Sequence, residues 1–125
     1  MKATLDEVSP RVGRVLVLGP VPQLRQDVVR CLESGQVQRC ILTRDEFDRR
    51  ARPALAILYA AAAGHPNVTV VDPTDFFCTE IDCPAAKDGY SLYWDNNHLS
   101  STAAHNFARL FASRVEAKPA RLPGN

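Results

Sequence analysis

The residues best suited to chemistry lie in one short stretch, where an aspartate precedes a histidine by three positions. Asp95 and His98 fall between two predicted elements, just ahead of a predicted helix. In a turn, this spacing brings a carboxylate to one imidazole nitrogen, which fixes the tautomer and leaves the other nitrogen free as a general base. From spacing alone, the alternative is that Asp95 and Asn96 are turn formers and His98 is a solvated residue before the helix.

The four cysteines form a second signal, because they fall into two local pairs: Cys31 with Cys40, and Cys78 with Cys83. An even count in short-range pairs indicates two small disulfide loops, and such bonds persist in oxidising compartments. Residues 1–10 show no signal peptide, so we expect the export signal upstream on a longer chain. Two alternatives stay open. The cysteines are free thiols of a cytosolic protein, or they bind zinc, although their spacings match no common zinc pattern.

Apolar runs and helix signals predict the elements that position these residues. Strands are predicted at residues 12–18 and 67–72, where β-branched apolar runs end at proline. Helices are predicted at residues 3–8 and 23–32, after Thr43 as N-cap, and after Ser100 or Ser101 as N-cap. Pro53 would kink the third helix or restart it as a second one. Residues 74–93 have no clear period and are predicted to form an ordered loop.

This order of elements predicts an α/β fold with parallel strands. Two strands are too few for such a fold, because parallel sheets are usually covered on both faces and a two-stranded sheet leaves unpaired edges. We therefore expect the missing strands to lie before Met1 or to come from a second copy of the chain, by self-association through the exposed sheet edge. Residues 116–125 contain two prolines and a glycine and are predicted to be a flexible tail.

Length and composition limit the class of protein. The 125 residues allow one domain, and 46% apolar with 23% charged residues is ordinary globular composition. A formal net charge of +1 argues against nucleic acid as a partner. The longest apolar run, residues 54–63, is about half of what a membrane span needs.

Several motifs together resemble a known family. Asp72-Pro73, Phe77-Cys78, Cys83 and residues 92–104 resemble the C-terminal block of SGNH-type hydrolase domains. They are most similar to the domains fused behind integral-membrane acyltransferases that O-acylate bacterial surface polysaccharides. In that family a strand ending in Asp-Pro precedes a paired-cysteine loop, an aromatic-Asp-x-x-His-Leu-Ser stretch and an apolar helix. The strand that ends in Gly19-Pro20 is also similar, and the resemblance spans about residues 1–115.

The resemblance implies a partial three-layer α/β/α SGNH fold, flavodoxin-like and with parallel strands, in which the N-terminal blocks are missing. Residues 1–115 would be the C-terminal portion of a periplasmic domain of a membrane O-acyltransferase. In the family's Ser-His-Asp triad, Asp95 would orient His98, and a serine would carry an acyl group, such as acetyl, to a cell-surface glycan. The acyl donor and the glycan would be the partners, and the membrane would be reached only through a missing upstream segment. The resemblance implies no cofactor and no metal.

The departure from the family is an absent nucleophile. The family's serine lies in an early Gly-Asp-Ser block, and this sequence has neither that block nor a G-x-S-x-G motif. We therefore expect half a catalytic site, with little or no activity in this chain alone. The alternative is a non-catalytic α/β module that binds a partner or assembles with another chain.

Three further side chains have simpler predicted roles. Tyr93 and Trp94 could flank an acceptor sugar, but core packing is the favoured interpretation. His65 lies at a helix end, where a cation is favourable, and no ligand partner for it is visible in the sequence.

Overall fold

The structure, a computed structural model, describes residues 1–116 and shows a mixed α/β fold with a small parallel sheet. In chain order the elements are α1 (Lys2–Val8), β1 (Val15–Leu18), α2 (Val28–Glu33), β2 (Leu42–Thr43), α3 (Arg44–Ala62), β3 (Val68–Val71), α4 (Thr74–Phe77), β4 (Asp82–Cys83), β5 (Ala86–Lys87), β6 (Tyr90–Ser91) and α5 (Ser101–Glu116), with 3-10 turns at Ser9–Arg11 and Val37–Arg39. Of the predicted tail, Glu116 is the last residue of α5, and the rest lies outside the described residues.

The two predicted strands pair in parallel, β1 with β3, and Leu18 lies opposite Val71 at the carboxyl end. Immediately after β1, the backbone N–H of Gly19 donates to the carbonyl of Val71 at 2.8 Å. A Cβ atom at Gly19 would lie 2.9 Å from Cδ2 of Leu55 in α3. Glycine at this position therefore lets α3 approach the end of the sheet.

The outer edge of β1 has no neighbouring strand within the described residues. Alternate residues of a parallel strand direct their N–H and carbonyl groups away from the partner, so Leu16 and Leu18 present theirs to this open edge. No residue of β1 is fully buried, and Leu18 is nearly half exposed. Residues 1–116 therefore hold a parallel sheet of two strands, without the further strands of a three-layer fold.

Side-chain caps determine where α2 and α3 begin. The hydroxyl of Thr43 accepts the backbone N–H of Glu46 at 3.1 Å, which confirms the predicted cap of α3. This helix continues through Pro53 as one element, so the predicted alternative of a second helix restarting there is wrong. The predicted helix at residues 23–32 is wrong at its start, because the carboxylate of Asp27 accepts the N–H groups of Val29 and Arg30 and begins α2 at residue 28.

Residues 74–93 contain more structure than the predicted loop. They form the single-turn helix α4 and the strand β4, which pairs antiparallel with β2. Next, β5 and β6 form a hairpin whose turn residues, Asp88 and Gly89, both have positive φ. Asp-Gly is a typical hairpin signal, but the strands that it joins here have two residues each and show no alternation.

Two disulfides and a group of aromatic rings lie in the core. Disulfide bonds join Cys31 to Cys40 and Cys78 to Cys83, and all four cysteines are buried. The aromatic group stacks rings of α4 and α5 with Tyr93, and its members are Phe76, Phe77, Tyr93, Phe107 and Phe111. This core supports the loops on which the candidate site residues lie.

His65 connects α1 to the segment before β3 through two side-chain contacts. Its Nδ1 lies 2.9 Å from the hydroxyl of Ser9, and its Nε2 lies 3.1 Å from Oδ1 of Asp6. These are the residue types of a catalytic triad. However, Ser9 is buried, so a substrate cannot reach its hydroxyl. The contacts therefore dock α1 onto the domain.

We expect His65→Ala to lower the free energy of unfolding by about 1–2 kcal/mol, because the buried hydroxyl of Ser9 loses its hydrogen-bond partner. Urea unfolding followed by circular dichroism measures this loss. The control is His105→Ala, which removes an exposed histidine of α5 and should change the free energy of unfolding by less than about 0.5 kcal/mol. Equal losses in the two variants would contradict the docking role.

Candidate active site

Asp95 and His98 lie together in the tight turn between β6 and α5. Nδ1 of His98 is 2.7 Å from Oδ2 of Asp95. The other carboxylate oxygen, Oδ1, accepts the backbone N–H groups of Asn97 and His98, each at 2.8 Å. One carboxylate thus closes the turn and holds the imidazole, which explains why a separation of three residues suits this pair.

These hydrogen bonds determine the protonation of the pair. The backbone N–H of Asn97, followed by the backbone and ring N–H groups of His98, holds the pKa of the Asp95 carboxyl well below its usual range. An ionised carboxylate can only accept hydrogen bonds, so Nδ1 of His98 carries the proton. In a neutral imidazole the lone pair is then on Nε2, which has no hydrogen-bond partner within the described residues. The side chain of His98 is 75% exposed, so Nε2 is available as a general base.

The turn is attached to the segment that leaves the carboxyl end of β1. Leu24 donates its backbone N–H to the carbonyl of Asn96 at 2.7 Å, and Val28 donates to the carbonyl of Asp95 at 3.3 Å. Pro20 and Pro22 favour an extended backbone in this segment. The turn is therefore held by the chain that follows the carboxyl end of β1, and functional residues of parallel α/β sheets lie beyond the carboxyl ends of the strands.

The start of α5 fixes the other side of the turn. Ser100 accepts the backbone N–H of Ala103 at 3.1 Å and donates its hydroxyl to the carbonyl of Ser91 at 2.6 Å. The first bond confirms Ser100 as the N-cap of α5. Because the second bond occupies its proton, Ser100 serves to position the turn.

The two aromatic residues before Asp95 have opposite environments. Tyr93 is 1% exposed and packs in the core, as predicted, and burial raises the pKa of its hydroxyl. That hydroxyl has no hydrogen-bond partner within the described residues. The core prediction is wrong for Trp94, which is 75% exposed, because neighbouring residues of an extended segment face opposite sides.

The described residues place no nucleophile beside the pair. Among the serines whose side chains the structure describes, none is hydrogen-bonded to His98, and four of them bond elsewhere: Ser9, Ser34, Ser91 and Ser100. The same residues contain no group of three or more His, Cys, Asp or Glu side chains that could hold a metal ion. What the arrangement offers chemically is a general base with its orienting acid.

The sequence matches the model of a known protein family over most of its length. The sequence model of a family described as "SGNH domain (fused to AT3 domains)" matches residues 1–113, which include both disulfides and the Asp95–His98 turn. Neither a curated protein nor a solved structure matches the chain. None of the helices in the described part of the chain has the length and apolar character that crossing a membrane requires.

Proposed function

Because this chain belongs to the family of SGNH domains fused to AT3 domains, we propose that it forms the C-terminal part of the SGNH domain of a membrane O-acyltransferase and supplies the base and the orienting acid of a Ser-His-Asp triad. The observation that carries the proposal is the hydrogen bond between Asp95 and Nδ1 of His98, which leaves Nε2 open to solvent. The acyl group, acetyl in the simplest case, goes to a hydroxyl of a cell-surface glycan.

In this mechanism His98 moves protons and Asp95 keeps it oriented. A serine from outside these 125 residues attacks the acyl carbonyl of the donor, and Nε2 of His98 takes its proton. The imidazolium then returns that proton to the leaving group, and the serine holds the acyl group as an ester. A glycan hydroxyl next gives its proton to His98 and attacks this ester, and the proton returns to the serine. The ionised Asp95 stabilises the imidazolium in both steps.

The open edge of β1 supports this origin of the serine. A further parallel strand beside β1 would hydrogen-bond to the outward groups of Leu16 and Leu18. Its carboxyl end would lie at the same end of the sheet as the Asp95–His98 turn, where a nucleophile is needed. With such strands and their helices, the domain would become the three-layer α/β/α fold.

The disulfides support a periplasmic location. Two disulfides in a small domain are typical of an oxidising compartment, and a domain fused to a membrane acyltransferase can be exposed there. We therefore place the domain at the outer face of the inner membrane.

We expect the purified chain to hydrolyse an unactivated acetyl ester, such as methyl acetate, no faster than its His98→Ala variant, because a base without a nucleophile gives little catalysis. Both proteins should unfold at the same temperature, which shows that the comparison is between folded chains. If the chain hydrolyses the ester and His98→Ala abolishes this hydrolysis, the proposal is contradicted.

The coding frame upstream of Met1 gives a second test, since it should contain a Gly-Asp-Ser block. A stop codon just upstream would argue against the shared triad.

The same open sheet edge favours a second candidate, a non-catalytic module that binds a partner or assembles with another chain. Unpaired N–H and carbonyl groups on an apolar strand are a template for pairing with another strand. If two copies pair through β1, sedimentation of the purified chain will show a dimer. Leu16→Pro, which removes one outward N–H, would then give a monomer.

A further inference from the structure

Trp94, the only tryptophan of the sequence, lies beside the catalytic pair and is exposed. It precedes Asp95 directly, and its backbone N–H donates to the carbonyl of His98 at 2.7 Å. The backbone that carries the indole is therefore fixed relative to the imidazole. A large ring that is three-quarters exposed contributes little to the core, so core packing does not account for its presence at this position.

Trp94 lines an apolar groove between α2 and the start of α5. Val29 and Leu32 of α2 also line this groove, and each of them is a little less than half exposed. The groove has a volume of about 400 Å³, which is in the range of small-molecule binding sites. An exposed apolar patch that continues a candidate catalytic site is typical of a substrate surface.

The polar groups of the groove define the chemistry of its ligand. Glu33, Tyr90 and Thr102 line it beside the apolar side chains, and no lysine or arginine of the described residues does. Without a cation the groove is a poor site for phosphate, sulfate or an acidic polymer. Its carboxylate and hydroxyls can accept and donate hydrogen bonds to a neutral ligand that bears hydroxyl groups.

We propose that the Trp94 groove binds a neutral pyranose ring of the acyl acceptor, an inference that rests on the proposed acyl transfer. A pyranose has C–H groups on its faces and hydroxyls around its edge, which matches an exposed aromatic face with a carboxylate and hydroxyls nearby. The backbone of Trp94 is hydrogen-bonded to the carbonyl of His98, so a ring stacked on Trp94 would lie near the turn that carries His98. An acyl chain fits this groove less well, because it cannot form hydrogen bonds with the polar groups. An acyl chain would also be buried against Trp94 more completely in a closed tunnel than in a groove.

The emission of the single tryptophan reports directly on this groove. A panel of neutral pyranose tetrasaccharides is titrated into the 125-residue chain, with sodium octanoate as the acyl-chain probe. We expect at least one tetrasaccharide to shift Trp94 emission to shorter wavelength and to protect it from acrylamide quenching, while octanoate does neither. The inference would be overturned if octanoate alone shifts the emission of Trp94, or if neither octanoate nor any tetrasaccharide shifts it.

Variants separate the groove from other apolar surface. Leu32→Asn keeps the fluorophore and should weaken tetrasaccharide binding by about tenfold, and calorimetry should show a loss of tenfold or more for Trp94→Ala. Trp94→Phe keeps an aromatic face and should retain most of the affinity. Ile81→Ala is the control, since it removes an exposed apolar side chain outside the groove and should leave binding unchanged. Equal binding by Trp94→Ala and the unmodified chain contradicts the proposal.

Kinetic measurements on variants of the complete acyltransferase distinguish a failure of this inference from a failure of the proposed function. If both hold, Trp94→Ala raises KM for the acceptor about tenfold with a smaller effect on kcat, whereas His98→Ala abolishes transfer and leaves tetrasaccharide binding intact. An unchanged KM in Trp94→Ala together with an inactive His98→Ala overturns the groove alone. Normal transfer by His98→Ala, with tetrasaccharide binding lost in Trp94→Ala, overturns the triad alone.

Discussion

Replacing His98 with alanine in the complete acyltransferase should lower kcat for acyl transfer by about 10⁴- to 10⁶-fold, the largest effect we expect from any single substitution. In the proposed mechanism, Nε2 of His98 accepts the nucleophile's proton in acylation and the glycan's proton in transfer. Asp95→Asn should cost about 10⁴-fold, because an amide in that place no longer requires the proton on Nδ1. Acyl groups on the surface glycan, released by mild base and quantified, measure both losses.

His105→Ala is the matched control for this experiment, since it also removes an exposed histidine but lies on α5, away from Asp95. It should retain full transfer. A His98→Ala protein that is present at normal level and transfers within tenfold of the unmodified enzyme would contradict the role of His98 as the base. Because Asp95→Asn keeps the shape of the side chain, the acyl-transfer activity that this variant loses would report the tautomer and charge of the pair.

Asp95 of the unmodified protein gives an independent readout of the pair, because its hydrogen bonds hold the pKa of the carboxyl well below its usual range. A carboxyl whose pKa is lowered by folding stabilises the fold above its unfolded pKa of about 3.9, and the contribution is lost as the pH falls towards the folded value. The carboxyl ¹³C shift of Asp95 should therefore not titrate between about pH 6 and pH 4. Titration near pH 4 would mean that the hydrogen bonds to Asn97 and His98 do not hold the carboxylate in solution.

Local signals made part of this structure predictable. The parallel strands are short β-branched runs between turn residues, and the caps at Thr43 and Ser100 depend on bonds to residues three positions away. The Asp95–His98 contact is equally local, because the carboxylate closes its own turn. Each of these features is complete within a few residues, so its pattern is visible in the sequence.

Contacts between distant residues were not predictable. The strand β2 exists because it pairs with β4, about forty positions later, and neither has a period of its own. His65 and Ser9 are 56 positions apart, so their hydrogen bond leaves no trace in local spacing. Nor does apolar character distinguish Tyr93 from Trp94, because only the direction of the backbone puts one in the core and the other in water.

Removing both disulfides should bring the chain close to unfolding. In the chain-entropy account, closing loops with separations of nine and five residues contributes about 2–3 kcal/mol for each bond. A domain of this size is stable by about 5–15 kcal/mol in total, so loss of both contributions removes a large part of its free energy of unfolding. Urea unfolding with and without a phosphine reductant should show the midpoint fall sharply on reduction.

The variant with alanine at all four cysteine positions is the control, because the reductant should not change its midpoint further. Thiol counting on freshly exported, denatured protein should find no free thiols, and four free thiols would contradict the disulfides.

Removal of one disulfide should have a different effect from removal of the other. Cys31 and Cys40 hold α2, and Val28 at the start of α2 donates its N–H to Asp95. Alanine at Cys31 and Cys40 should therefore loosen the Asp95–His98 turn and lower acyl transfer at temperatures where the fold persists, whereas alanine at Cys78 and Cys83 should mainly lower the unfolding midpoint.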